Sequence, residues 1–225
     1  MTSTIITVPG FSNSYILKGD RAVIIDAGLP GQEKKILAAL EANGISRDRV
    51  SLIIITHVHG DHYAGLANLK KSIDVPVMAG WPDAKFMEDG SGAPTVPVSL
   101  TGRVMTLFTG AKSPHSRADV IVKEDTDLRA YGVDGRVLTT PGHTFGSLSA
   151  LASDGGCAIG DLLGGLIFKD RPGLPPLAED LSLVGPSLKK VLDSGAKHIY
   201  PGHGNPWDAA VVRKKFDSII NHKGH

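Results

Sequence analysis

The sequence predicts a layered α/β sandwich, and three observations predict it. Short apolar segments of strand character arrive in two batches, amphipathic helical segments flank each batch, and neither a linker nor an internal repeat divides the chain. At 225 residues, 41% of them hydrophobic, the chain can bury a substantial core, so disorder as its main state is excluded and residues 1–225 read as a single domain. Its 27 glycines and 14 prolines punctuate the strands and do not gather in one stretch.

Ser14 to Leu17 and Ala22 to Ile25 are apolar arms around the polar turn Lys18-Gly19-Asp20, which reads as a hairpin ending at Asp26-Ala27-Gly28. From Gln32 to Ala42 the residues Ile36, Leu37 and Leu40 recur at helical spacing, and Asn43-Gly44 supplies the stop. Val50 to Thr56 is a continuous apolar run, as expected of a strand covered on both faces, and it delivers the chain to His57. Tyr63 to Ile73 carries Leu66, Leu69 and Ile73 at three- and four-residue intervals and predicts a second helix, with a strand at Val75 to Met78. From Asp83 to Arg117 glycines and prolines interrupt every periodicity, so this stretch is expected to be mostly loop.

The second batch opens with strands at Ala118 to Val122, Leu128 to Tyr131 and Arg136 to Thr139, the last two joined around Val133-Asp134-Gly135. Leu148 to Ala152 and Cys157 to Ile159 form a further hairpin-like pair that leads to Asp161. Leu162 to Asp180 is irregular and rich in glycine, proline and apolar side chains. Ser187 to Leu192 then reads as a helix closed by Gly195, His198 to Tyr200 as the last strand, and Trp207 to Ile220 as a closing helix.

Lys and Arg total 24 against 23 Asp and Glu, so no overall field directs the protein to nucleic acid or to an anionic membrane. The basic runs Lys34-Lys35, Lys70-Lys71, Lys189-Lys190 and Arg213-Lys214-Lys215 fall on predicted helices, where solvated faces explain them. No apolar run approaches the roughly 20 residues of a spanning helix, and the N-terminal residues lack the pattern of a secretory signal. The single cysteine, Cys157, excludes an internal disulfide. The expectation is a cytoplasmic protein acting on a small molecule, without nucleic-acid or membrane partners.

The chemistry concentrates in Thr56-His57-Val58-His59-Gly60-Asp61-His62, four potential metal ligands within six residues where a buried strand meets a helix. His57 and His59 lie two apart on an extended segment and can face one way, while Asp61 and His62 can aim at a second point. Three more strand ends each present one ligand beside glycine: His143 in Thr140-Pro141-Gly142-His143-Thr144, Asp161 in Ile159-Gly160-Asp161, and His203 in Tyr200-Pro201-Gly202-His203-Gly204.

His57-x-His59-x-Asp61-His62 followed by His143, Asp161 and His203 resembles the metallo-β-lactamase superfamily of metal-dependent hydrolases, and Thr-Pro-Gly-His-Thr resembles its glyoxalase II and lactonase side. The resemblance runs from the first hairpin to about Trp207 and implies a four-layer αββα sandwich. It places one metal on His57, His59 and His143 and another on Asp61, His62 and His203, with Asp161 bridging. A cysteine often stands at the Asp161 position in zinc β-lactamases, so antibiotic hydrolysis is not the expected main activity.

Imidazole and carboxylate suit zinc, with iron or manganese also accepted, and two such ions sharing a water supply a hydroxide near neutral pH while polarising a carbonyl. The expectation is therefore a dinuclear metal-dependent hydrolase whose bridging hydroxide opens a thioester, a lactone or a related ester. Asp61 is assigned the further role of orienting the nucleophile or moving its proton. The alternative is a mononuclear iron enzyme resembling the glyoxalase II-like persulfide dioxygenases, which would use His57, His143 and Asp161.

His115, His198, His222 and His225 fit no ligand position and read as structural or solvated, His115 being placed to line a pocket. Tyr200 and Trp207 are expected in the core, and Asp26 stands evenly between supporting the metals and serving the turn. The irregular segments 83–117 and 162–180 should form the mouth of the site. Leu162, Leu163, Leu166, Ile167, Phe168 and Leu174 would give it an apolar wall, unless they serve a buried loop or a homodimer contact.

Overall fold

The computed structural model describes residues 2–107, 112–165 and 169–221. Two six-stranded sheets lie face to face. The first runs β1 (Thr4–Val8), β2 (Ser14–Lys18), β3 (Ala22–Ile25), β4 (Val50–Ile55), β5 (Val77–Gly80) and β6 (Val120–Val122) in sequence order. The second runs β7 (Thr126–Asp127), β8 (Gly135–Thr139), β9 (Leu148–Ala152), β10 (Gly156–Gly160), β11 (His198–Pro201) and β12 (Trp207–Asp208), again in sequence order. Pairing is parallel from β3 to β6 and between β10 and β11, so the strands that lead into the ligand-bearing turns end on a common edge.

Between the sheets, Tyr15, Leu17, Val23, Ile25, Leu52 and Ile54 of the first pack against Val137, Leu148, Ala150 and Ala158 of the second. Outside the first sheet lie α1 (Gln32–Ala42), α2 (Gly60–Tyr63), α3 (Leu66–Lys70) and α4 (Ala84–Asp89), which bury Ile36, Leu40, Leu66, Leu69 and Met87. Beyond them α5 (Leu100–Met105) is a short surface helix. Outside the second sheet α6 (Val184–Asp193), α7 (Ala209–Lys215) and α8 (Asp217–Ile220) bury Leu188, Val191, Val212, Phe216 and Ile220. The expected αββα order of layers is the one found. No helix among the described residues is long and apolar enough to cross a membrane.

Local departures from the sequence-based expectations have identifiable causes. Thr4–Val8 adds a strand to those expected, paired antiparallel with β2. The helix expected over Tyr63 to Ile73 is two helices, because the His62 carbonyl accepts from the Ala27 and Gly28 amides (2.8 and 2.9 Å) and is diverted from the helical ladder. Gly65 permits that close approach, since a Cβ there would meet the Ala27 carbonyl at 2.5 Å. Leu128 to Tyr131 is not a strand: Asp127 Oδ1 accepts from the Arg129 amide at 2.7 Å, and a 3-10 turn over Arg129–Tyr131 follows.

The expected closing helix begins instead with β12, which pairs with β11, so His198–Pro201 is not the last strand. Asp208 then caps α7 by accepting from the Ala210 amide at 2.7 Å, and the chain breaks again at Phe216. The irregular stretch 83–117 carries α4 and α5 and is less loop than expected, while residues 108–111 within it lie outside the description.

Candidate metal centre

Seven side chains meet at the shared edge of the two sheets. β4 ends at Thr56 and releases His57, Val58 and His59 in extended conformation, after which α2 begins and carries Asp61 and His62. The turn after β8 brings His143, the end of β10 brings Asp161 and the end of β11 brings His203. The ligand atoms fall into three overlapping groups, each within 4.8 Å: His57, His59 and His143; His57, His62 and Asp161; and Asp61, His62 and His203. All seven sequence-predicted residues are present, and every group draws on both sheets.

The donor set fits divalent ions by a test independent of resemblance. His57 Nε2, His62 Nε2 and Asp161 Oδ1 are buried and have no hydrogen-bond partner among the described residues, a costly state for polar atoms unless something accepts them. His143 Nε2 and His59 Nδ1 face each other at 3.0 Å. The space between the groups is kept open by Gly202, where a Cβ would stand 2.1 Å from Asp161 Oδ1 and 2.7 Å from His62 Cε1.

The two ends of the cluster differ electrostatically. Burial and the surrounding imidazoles hold His57 well below the usual histidine range. Burial likewise lowers His59, and burial with the His59 imidazole brings His143 to about 4. These three are neutral donors. Burial also disfavours charge on His62 and His203, but carboxylates outweigh it: Asp61, Asp161 and Asp26 raise His62, and Asp161 and Asp61 raise His203. Burial would push Asp61 and Asp161 upward, yet their imidazole neighbours bring Asp61 to about 2 and hold Asp161 well below the carboxylate range. Asp61 Oδ2 stands 3.0 Å from His203 Nε2.

Three supports hold the ligands in place. Asp26, at the end of β3 with φ 60°, accepts from the Thr56 amide and hydroxyl at 2.7 Å each and meets His62 Nδ1 at 2.8 Å, so it orients a ligand as well as the turn. Asp83, fully buried, accepts from the Val58 amide at 3.1 Å and the Gly146 amide at 2.8 Å. One carboxylate thus ties the turn carrying His57 and His59 to the turn carrying His143. The segment 177–180 grips that second turn: the Leu177 carbonyl meets His143 Nδ1 at 2.8 Å, the Glu179 and Asp180 amides donate to His143 and Gly142 carbonyls, and Glu179 Oε2 accepts from the Phe145 amide. Asp83 and Glu179 escaped the sequence reading, since a lone carboxylate in an irregular segment carries no spacing signal.

Other expectations separate cleanly. Trp207 is buried outside the site, donating from Nε1 to the Lys169 carbonyl, and Tyr200 stacks edge-on against Tyr15 at 5.7 Å. His115 and His198 are exposed and join none of the three groups, while His222 and His225 lie outside the described residues. Leu162 and Leu163 are core residues and Leu174 is partly exposed, whereas Leu166, Ile167 and Phe168 are also outside the description. An exposed aromatic not singled out from sequence, Phe11, sets its ring 5.5 Å from that of His203 and its carbonyl 3.0 Å from His203 Nδ1.

A family model described as the metallo-beta-lactamase superfamily matches residues 7–203. Among curated proteins, the chain is 29% identical over 140 residues to a probable metallo-hydrolase of Methanocaldococcus jannaschii, covering 62% of each chain. It is 32% identical over 164 residues to a hydroxyacylglutathione hydrolase of Alkalilimnicola ehrlichii, covering 71% of this chain and 50% of the relative. The chain therefore spans about half to three-fifths of the length of these relatives. Among solved structures, the BLEG-1 B3 metallo-beta-lactamase superposes with a TM-score of 0.73 at 21% identity, covering 97% of this chain and all of that one. TTHA1623, solved in a di-iron-bound form, superposes with a TM-score of 0.63 at 25% identity, covering 92% and 96%.

Proposed function

The chain belongs to the metallo-β-lactamase superfamily, and from that premise we propose that it is a dinuclear metal-dependent hydrolase of a small ester-like substrate, a thioester, lactone or related compound. The observation that carries this reading is the set of three overlapping donor groups with unpartnered buried atoms aimed between them. His57, His59 and His143 would hold one ion, Asp61, His62 and His203 a second, and Asp161 would reach both. Two divalent ions, zinc in the first place, would there supply Lewis acidity and an activated water at neutral pH.

The chain's own residues supply the rest. Asp61 is the more exposed of the two site carboxylates, 24% against 17% for Asp161. Its Oδ2 would orient an attacking water and take its proton. Asp26, Asp83 and the 177–180 segment fix the donors before substrate arrives, which removes reorganisation from the reaction. No serine or cysteine nucleophile is required, and the only cysteine is buried away from the groups.

Elemental analysis of freshly purified protein, followed by thioester and lactone hydrolysis assays on the parent and a His203→Ala variant, tests the proposal. About two ions per chain, with hydrolysis falling by orders of magnitude in the variant, is the expected result. About one iron per chain, with oxygen consumed on persulfides and turnover indifferent to His203, would replace it with the dioxygenase reading.

A further inference from the structure

A half-open pocket of about 310 Å3, at the lower end of the range for small-molecule sites, is built from segments that adjoin the donor turns, although none of the seven donor residues lines it. Its walls are continuous with three of the ligand turns. Gly164 and Gly165 follow Asp161 closely, and a Cβ on Gly165 would stand 2.7 Å from the His203 carbonyl. Pro176 precedes Leu177, whose carbonyl meets His143 Nδ1. The opposite wall comes from the start of α5 and the residues before it, held to the first wall by the Val98 amide donating to the Pro176 carbonyl at 3.1 Å.

The lining is mostly apolar, with the hydroxyl residues Ser99 and Thr101 and one cation. Val98, Leu174, Pro175, Pro176 and Leu181 contribute carbon surface, and Leu174, Val98 and Leu181 leave 43%, 37% and 37% of their area in water. Apolar area left uncovered in a concave site favours an apolar occupant, which removes it from water. Arg171 lines the same pocket and makes no hydrogen bond or ion pair among the described residues. Its backbone is anchored nearby, because the Lys169 carbonyl accepts from the Asn205 amide and the Trp207 indole. A guanidinium without a partner, at the edge of an apolar recess, matches an anion carried on a short carbon chain.

Resting on the hydrolase reading, we infer that this pocket binds one arm of the substrate, an aliphatic chain ending in an anionic group, with Arg171 pairing the anion and the 98–101 and 174–176 walls covering the carbon. The scissile carbonyl would lie at the donor groups and the arm would extend away from them. The substrate class narrows to esters or thioesters of short dicarboxylic acids or equally sized anionic acyl compounds.

The test uses the metal-loaded protein with two thioesters of one leaving group, S-phenyl thiohexanoate and S-phenyl monothioadipate. The parent is expected to favour the adipyl compound in kcat/KM by about tenfold or more. That preference should collapse to about one in Arg171→Gln at unchanged metal content. Thr101→Phe, on the exposed start of α5, fills the recess at similar helix propensity and should weaken both substrates. Adipate is also titrated as a non-hydrolysed probe, followed by NMR, and should shift the Arg171 Nε–H signal and the 98–101 amides in the parent but not in Thr101→Phe. Hydrolysis without the preference, or adipate shifts confined to the ligand histidines, would overturn the inference and leave the hydrolase standing. Absence of all hydrolysis with the Arg171 shift retained would overturn the hydrolase and leave the anion pocket.

Discussion

Asp26 Oδ2 and His62 Nδ1 stand 2.8 Å apart, and that pairing decides which nitrogen of His62 faces the donor cluster. With Nδ1 donating to the carboxylate, the Nε2 lone pair is left for an ion. Replacing Asp26 by Asn puts an amide N–H where an acceptor stood, or turns the amide oxygen away from Thr56. Either outcome favours the wrong tautomer or loosens the turn. Asp26→Asn is expected to weaken zinc binding about 10- to 100-fold, read by competition with a chromophoric chelator, and an unchanged affinity would show that His62 is oriented by something else.

Asp83 offers a stability prediction separable from metal. Its two oxygens satisfy the Val58 and Gly146 amides from two different turns. Asp83→Ala leaves buried donors unpaired, at about 1–3 kcal/mol. With about 2–4 °C per kcal/mol in a domain of this size, the metal-free protein should melt several degrees lower. A melting point equal to the parent's would mean that the turns hold without the carboxylate.

Gly202 makes the opposite prediction. Its backbone is not left-handed, so alanine meets no conformational penalty there, but the new Cβ would fall on Asp161 and His62. Gly202→Ala should lower zinc stoichiometry by about one ion per chain while the far-ultraviolet circular dichroism stays that of the parent. Full occupancy in the variant would show that the donors can retreat without losing the ion.

A pH dependence follows from Asp125, away from the centre. Burial would raise this carboxyl, but hydrogen bonds from the Lys190 ammonium and the Thr139 amide and hydroxyl leave it below the ordinary value. A lowered folded value means stability gained above the unfolded pKa and lost as pH falls through the folded one. Metal-free parent protein should therefore melt above Asp125→Asn at neutral pH, and the gap should close below about pH 4. The pair is largely exposed, so the gap will be small and should shrink in high salt. A gap that persists in acid would contradict the assignment.

The ligands were legible in the sequence because each sits next to a strong local signal: a buried apolar strand before His57, and a strand-then-glycine turn before His143 and His203. The helix over Gln32–Ala42 was legible to its bounds for the same reason, with its spacing and its Asn43-Gly44 stop all local. What escaped is tertiary. The break after Tyr63 depends on amides of residues 27 and 28 capturing the His62 carbonyl. The roles of Asp83 and Glu179 exist only through amides far along the chain, those of Val58 and Gly146 for the one and Phe145 for the other. Thr4–Val8 becomes a strand through pairing with β2, and β12 is two residues long, below any periodicity.

That every donor group takes side chains from both sheets has a consequence for the architecture as an assembly. The chain passes from one sheet to the other once, through the exposed residues Lys123 to Asp125, and neither half on its own owns a complete ligand set. An ion seated in any of the three groups would act as a rivet between two half-sandwiches. Binding free energy would then appear as cohesion of the whole, added to the buried apolar layer that already joins the sheets, and a chain nicked at Lys123 would hold together more tightly with metal than without it.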